Sequence, residues 1–295
     1  MDKNKKGALL VILAGVCWGS ISIYINYLTD AGLGTMQISF LRQLISALIF
    51  AAIILIRDPS KFRIETRDIP LLMGVGLVNG VLFNFFYFYT IINSRASIAV
   101  VLLYTSPIFV MIMARFLFGE KITLGKLAAL VLTVMGCVFV TGIVGEGYSP
   151  PAIAILTGVL TGFCYALNNI MTSAAVKKNS PETVTLYTLF FSFLFLVPFS
   201  GAGGIVTVCK SNPMVLIVAL IMCLVTGVLA QYAFSLGLNL IESGKAAIYG
   251  ATEPIVGTTV GILLFNEESN LLKMLGIVMV IAAIIIIAKE DTKGS

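Results

Sequence analysis

The chain has 295 residues, of which 59% are hydrophobic and only 11% charged, with a net charge of +5 and no histidine. Soluble domains carry about 25% charged residues, so too little polar surface is present to coat a water-facing globule, and the chain reads as an integral membrane protein. The lack of histidine removes the commonest metal ligand and the usual neutral-pH proton relay. The five cysteines, Cys17, Cys137, Cys164, Cys209 and Cys223, form no C-x-x-C pair and read as small apolar packing residues.

In chain order, the first apolar run follows Lys3, Lys5 and Lys6 and continues to about Leu28 without a small-x-small cleavage site. It therefore reads as a retained membrane span. Turn and charge signals divide the rest into further runs near the ~20 residues that cross a bilayer. The expected spans are 7–28, 35–56, 69–91, 96–118 and 123–142, then 151–175, 182–202, 213–238, 244–265 and 270–288. Between them lie the turn 30–34, a charged loop 57–68, a Gly- and Pro-rich connection 145–151 and a loop from Gly201 to Pro213. Backbone groups inside lipid must bond internally, so the runs should be helices. They lack the alternation of barrel strands.

Residues 15 to 140 reappear weakly as residues 162 to 287, at a constant shift of 147. Gly15 pairs with Gly162, Cys17 with Cys164, Gly80 with Gly227, Glu120 with Glu267 and Lys126 with Lys273. Thr105, Pro107 and Ile108 pair with Thr252, Pro254 and Ile255. With the N-terminus cytoplasmic, fifteen of the 19 lysines and arginines fall on the cytoplasmic side. Arg95, Lys210 and Lys273 fall outside, and Arg42 lies within a span. This bias places both termini in the cytoplasm. The basic residues are scattered through short loops, which argues against a nucleic-acid partner. Five spans per copy is an odd number, so the second copy is inverted. The expected architecture is all-α: ten transmembrane helices as two inverted five-helix repeats, 1–145 and 146–295, around a central cavity. Inverted repeats suit alternating access, with the substrate site near the bilayer midplane at the repeat interface.

Glu253 is the sharpest candidate. It sits roughly ten residues into the ninth span, about 15 Å at 1.5 Å per residue, and an intramembrane carboxylate is a functional-site hypothesis by default. Pro254 follows it and removes a backbone donor. Pro107 marks the matching span, with neutral Ser106 in place of the glutamate. Both prolines are candidate helix-break hinges. Arg42 could pair with Glu253, snorkel to the surface, or hold a substrate carboxylate. Amides inside apolar runs, Asn79, Asn168 and Gln231, divide between interhelical packing and cavity lining. Trp18 and Tyr165 are repeat mates, each following a cysteine, and join Tyr104 as mid-span aromatic candidates. Tyr249 lies four residues before Glu253, which on one continuous helix puts both on one face. Glu120 and Glu267 end the proline-bearing helices and read as structural, bonding free amides at a helix start. No Walker sequence, zinc signature or nucleophile elbow is present.

These residues together resemble the EamA branch of the drug/metabolite transporter superfamily, over essentially the whole chain. The resemblance rests on the 5+5 duplication, Cys17-Trp18-Gly19 and Arg42. It also rests on Tyr104-Thr-Ser-Pro107 with Leu117-Phe-Gly-Glu120, and on Thr252-Glu-Pro254 with Leu264-Phe-Asn-Glu267. It implies ten helices around a cavity lined by both halves, and secondary transport, often export of amino acids or related metabolites. Small four-span relatives keep a carboxylate in span one, which this chain lacks.

The function expected is therefore a non-enzymatic secondary transporter in the cytoplasmic membrane. It would move a small polar or amphipathic metabolite, such as an amino acid or amine, most readily as an exporter. The alternative is a uniporter or importer of an organic cation on an aromatic and Glu253 site; a membrane scaffold is more distant. No cofactor or metal is expected, and proton coupling through Glu253 is the narrower mechanistic version. The partners expected are a small-molecule substrate and the lipid bilayer, and one bundle can work as a monomer.

Overall fold

The computed structural model describes residues 2–141 and 149–293, with side chains to Glu290. The connection 145–151, expected to join the halves, lies mostly outside the described residues. The first crossing is α1 (Lys3–Gly19) and α2 (Ile21–Asp30), and the second is α3 (Thr35–Arg57). The third is α4 (Ile69–Leu77), a π-helical segment (Val78–Leu82) and α5 (Phe83–Asn93). The fourth is α6 (Ala96–Leu103) and α7 (Ser106–Phe118), and the fifth is α8 (Leu124–Val140). The second half repeats the order with α9 (Ala152–Val176) and α10 (Pro181–Leu196), followed by a short α11 (Ala202–Ser211). Then come α12 (Met214–Met222), a second π-helical segment (Cys223–Leu229), α13 (Ala230–Leu238), α14 (Ser243–Gly250), α15 (Thr252–Phe265) and α16 (Leu271–Lys293). Among the described residues, nine helical stretches are long and apolar enough to cross a membrane, and α8, with 17 residues, is a shorter tenth. The all-α, ten-helix architecture is as expected.

The breaks follow the same shift of 147. The fourth crossing breaks at Tyr104 and the ninth at Ala251. Thr105 Oγ1 donates to Leu102 O at 2.6 Å, and its mate Thr252 Oγ1 donates to Tyr249 O at 2.7 Å. Each hydroxyl bonds the carbonyl three residues back at its break, and Leu102 O accepts from Thr105 N at 3.1 Å as well. Pro107 and Pro254 lie in the first turns of α7 and α15, where a missing N–H costs no hydrogen bond. The π-helical segments occupy matching positions in the third and eighth crossings. Such wide turns are rare and gather at functional sites. The first crossing departs from the symmetry: it breaks at Ser20, whereas its counterpart α9 runs 25 residues without interruption.

Packing crosses between the halves. α1 lies against α13 and α15, while α9 lies against α5, α6 and α7; α8 runs along α16. Glycines allow these approaches. A Cβ on Gly136 would meet Gly276 O at 2.9 Å, and one on Gly276 would meet Gly136 O at 2.6 Å. Large apolar side chains such as Leu9, Ile56, Phe116, Leu124, Leu271 and Val278 point outward. That apolar exterior is what a bilayer-embedded bundle requires.

One expectation is corrected. The loop expected from Gly201 to Pro213 contains α11. Gly201, at φ 52°, turns the chain, and Gln37 Nε2 donates to Gly201 O at 3.0 Å. Ile205 is buried, and Val208 packs in the same cluster at spacing i+3. Three glycines in four residues suggest a turn, yet a short apolar stripe with a core to rest on is sufficient for helix.

Candidate functional site

The bundle encloses a cavity of about 460 Å³. Its mouth is formed by Asn26, Thr35, Ile91 and Ala96, at the ends of α2, α3, α5 and α6. Those ends share the face opposite the Lys/Arg-rich loops. Its floor carries Trp18, Arg42, Asn79, Tyr165, Asn168, Gln231 and Glu253. Seven sequence candidates from both halves therefore meet in one cavity.

Glu253 occupies the first turn of α15. The helix break places it at a helix N-terminus midway along the ninth crossing, where the macrodipole favours negative charge. Tyr165 Oη donates to Glu253 Oε2 at 3.3 Å. Arg42 shares the cavity and the electrostatic field of Glu253, but the two form no ion pair within 4.0 Å. Arg42 is turned inward and does not snorkel. Trp18 Nε1 donates to Thr226 O at 3.0 Å, a carbonyl inside the second π-helical segment, and its ring packs on Phe234 at 5.2 Å. Asn79 Nδ2 donates to Ser192 Oγ at 3.2 Å, and Ser192 Oγ donates onward to Gly76 O at 3.1 Å. Phe83 and Tyr87 stack at 5.6 Å and give one wall an aromatic face.

Several lining groups have no protein partner. Ser22 Oγ, Gln43 Oε1, Asn168 Oδ1 and Gln231 Nε2 are buried and unbonded. Buried polar atoms are otherwise almost always satisfied, so these four leave unmet hydrogen-bonding capacity in the cavity wall. Among the described residues no group of three metal-ligating side chains occurs.

Two candidates fall outside the cavity. Tyr249 is buried in the main core cluster with Phe234 and Ile248. The break at Ala251 separates α14 from α15, so the spacing of four no longer aligns Tyr249 with Glu253. Tyr104, at the matching break, packs against Cys137, Ala251 and Val280. Conversely, Ser22, Gln43, Tyr87 and Thr226 line the cavity without having been singled out. Gln43 had a visible signal, being an amide beside Arg42 in an apolar run. Thr226 had none, because its hydroxyl bonds its own helix at Met222 O, 2.9 Å away.

A ten-helix apolar bundle with a polar cavity built from both halves defines a membrane transport protein. The chain belongs to the EamA-like transporter family, whose model matches residues 5–142 and again 152–289. An "Uncharacterized transporter" of Archaeoglobus fulgidus is 26% identical over 96% of this chain and 97% of its own length. A "Probable amino-acid metabolite efflux pump" of Escherichia coli K12 is 23% identical over 96% of this chain and 95% of its own. A solved crystal structure superposes with a TM-score of 0.77 over 96% of both chains at 13% identity, a likeness of fold alone.

Proposed function

We propose that this protein is a secondary transporter of the cytoplasmic membrane that exports small zwitterionic, amino-acid-like metabolites by alternating access. The observation that carries this reading is the pair of opposite charges in one cavity, Arg42 and Glu253, which face the same space without pairing. Removing two charges from water costs several kcal/mol per ion unless each finds a partner. A ligand carrying both an ammonium and a carboxylate supplies both partners at once. Arg42 would hold the carboxylate through its fork, and Glu253 with Tyr165 would receive the ammonium. The amide side chains of Asn168, Gln43 and Gln231, which line the same cavity, suit further polar atoms, and Phe83 and Tyr87 suit an apolar side chain. A volume of about 460 Å³ lies within the ordinary range of small-ligand pockets.

The positive-inside bias makes the Lys/Arg-rich end cytoplasmic, with both termini there. The mouth then faces outward, and the halves 1–145 and 146–295 act as the two moving units. Export is supported by the relative named as an efflux pump. The Glu253 carboxylate is the natural coupling group if a proton and the substrate ammonium exclude one another there.

The test is a stability screen on purified protein with amino acids, their methyl esters and the corresponding amines, followed by counterflow in liposomes. Amino acids should stabilise more than esters or amines, and Arg42→Gln should remove the difference. Equal stabilisation by amines would favour the organic-cation reading, which the aromatic wall beside Glu253 supports. No stabilisation and no counterflow across the panel would overturn the metabolite reading.

A further inference from the structure

Glu120 and Glu267 are repeat mates, yet the structure uses them differently. Glu120 Oε1 accepts from Ser243 N at 2.8 Å, and its Oε2 accepts from Gly244 N at 3.1 Å. Those amides open α14. Lys126 Nζ, almost wholly buried, donates to Glu242 Oε2 at 2.5 Å and to Lys121 O at 2.8 Å. Ser243 Oγ donates to Ser173 Oγ on α9 at 2.8 Å. The turn between α7 and α8 is thus clamped to α14 and, through Ser243, to α9. The clamp closes the end of the bundle opposite the cavity mouth.

At the mouth, the same residue types take other positions. Lys273 Nζ lies 3.5 Å from Glu267 Oε2, so the mates of Lys126 and Glu120 pair with each other. Glu267 rests beside Gly261, and its side chain is 54% exposed. The residues equivalent to Ser243 and Gly244 are Ala96 and Ser97, which open α6, and Ala96 lines the cavity mouth.

We propose that Glu120 and Glu267 are alternate end clamps of the transport cycle. Glu120 on α14 shuts the basic end in this state, and Glu267 on the first amides of α6 shuts the mouth in the opposite state. The proposal rests on the alternating-access reading, in which inverted halves exchange conformations. A carboxylate bonded to helix-start amides is favoured by charge-assisted hydrogen bonds and by the macrodipole. Two equivalent clamps used one at a time give a two-state element.

A second, independent feature shows what the clamp covers. Asn169, Thr172, Thr185 and Ser235 are buried with unpartnered polar atoms. Each lies one helical turn below a cavity-lining residue, respectively Tyr165, Asn168, Leu189 and Gln231, toward the clamped end. These unbonded polar groups extend the cavity-lining faces of α9, α10 and α13 by one turn toward the clamped end, and opening the clamp would wet them.

The experiment measures reaction rates of a polar maleimide with single cysteines, placed in the otherwise cysteine-free full-length protein in detergent, with no substrate present. Ser235→Cys and Thr185→Cys report on the covered groups. Thr133→Cys, buried and unpartnered in α8 away from them, is the control. Glu120→Gln should raise both reporter rates roughly tenfold, the population change from weakening one charge-assisted hydrogen bond. Glu267→Gln should lower them by a similar factor, and Thr133→Cys should stay slow in both. Reporter rates that do not change, that move in the same direction in both variants, or that rise together with Thr133→Cys would overturn the clamps. Opposite shifts with a negative ligand screen would overturn only the substrate reading.

Discussion

Glu253→Gln keeps the shape of the side chain and an acceptor for the Tyr165 hydroxyl while removing the charge. The consequence for binding can be worked through. A hydrogen bond to a charged group is worth about 1.5–3 kcal/mol, so an ammonium ligand should lose on the order of 30-fold in affinity, near 2 kcal/mol. A ligand at 100 times its Kd stabilises the folded protein by about 2.7 kcal/mol. After a 30-fold loss the same concentration gives about 0.9 kcal/mol by the same relation. About two thirds of the ligand-induced stabilisation should therefore vanish in a thermal or denaturant assay. Tyr165→Phe should lose less, roughly fivefold, because it removes one long contact of 3.3 Å. The assay is unfolding of purified protein over a ligand series, with the ligand-free midpoint of each variant as its own baseline. Equal ligand-induced shifts in wild type and Glu253→Gln would refute the assignment of Glu253 to the ammonium.

Other expected outcomes follow from single contacts. Trp18→Phe should cost about 1 kcal/mol in unfolding free energy by losing the 3.0 Å bond to Thr226 O that ties α1 to the second π-helical segment. Lys126→Met should cost on the order of 1–2 kcal/mol, because Glu242 is 44% exposed and solvent screens what the pair loses. Gly203→Ala, with nothing within 4 Å of the new Cβ, should leave the unfolding midpoint within error.

The crossings were readable because bilayer thickness and the apolar runs impose nearly the same length. The charge bias and the constant shift of 147 then ordered them. The cavity floor was readable because each charge and amide there interrupts an apolar run, as Arg42, Asn79, Asn168, Gln231 and Glu253 do. Tyr249 was misplaced for a physical reason: side-chain direction depends on the continuity of the helix between two residues. Pro254 announced a break near Glu253, but only the backbone shows the break at Ala251, between the two side chains. The π-helical segments left no readable signal either, since their residues have the same apolar character as the α-helix around them.

The two π-helical segments carry the glycines Gly80 and Gly227, and the structure predicts opposite responses to the same added methyl group. A Cβ on Gly80 would lie 2.8 Å from both Cα and O of Ser192, which are backbone atoms and cannot rotate away. A Cβ on Gly227 would collide chiefly with the Ser46 side chain, reaching its Cβ at 2.8 Å, while the nearest backbone atom is Arg42 O at 3.8 Å. Both Gly→Ala changes should destabilise by about 1–3 kcal/mol through overpacking. Adding Ser46→Gly should recover much of the loss in Gly227→Ala. The recovery is incomplete because the 3.2 Å bond from Ser46 Oγ to Cys223 O is given up and glycine weakens α3 by roughly 0.5–1 kcal/mol. Adding Ser192→Gly to Gly80→Ala should recover nothing, since the clashing backbone atoms remain and the Ser192 bonds to Asn79 and Gly76 are lost as well. A double-mutant cycle on unfolding free energy separates the two cases. Equal rescue at both sites would mean that the third crossing can move away from α10, and that the close approach at Gly80 does not fix the position of Asn79 in the cavity floor.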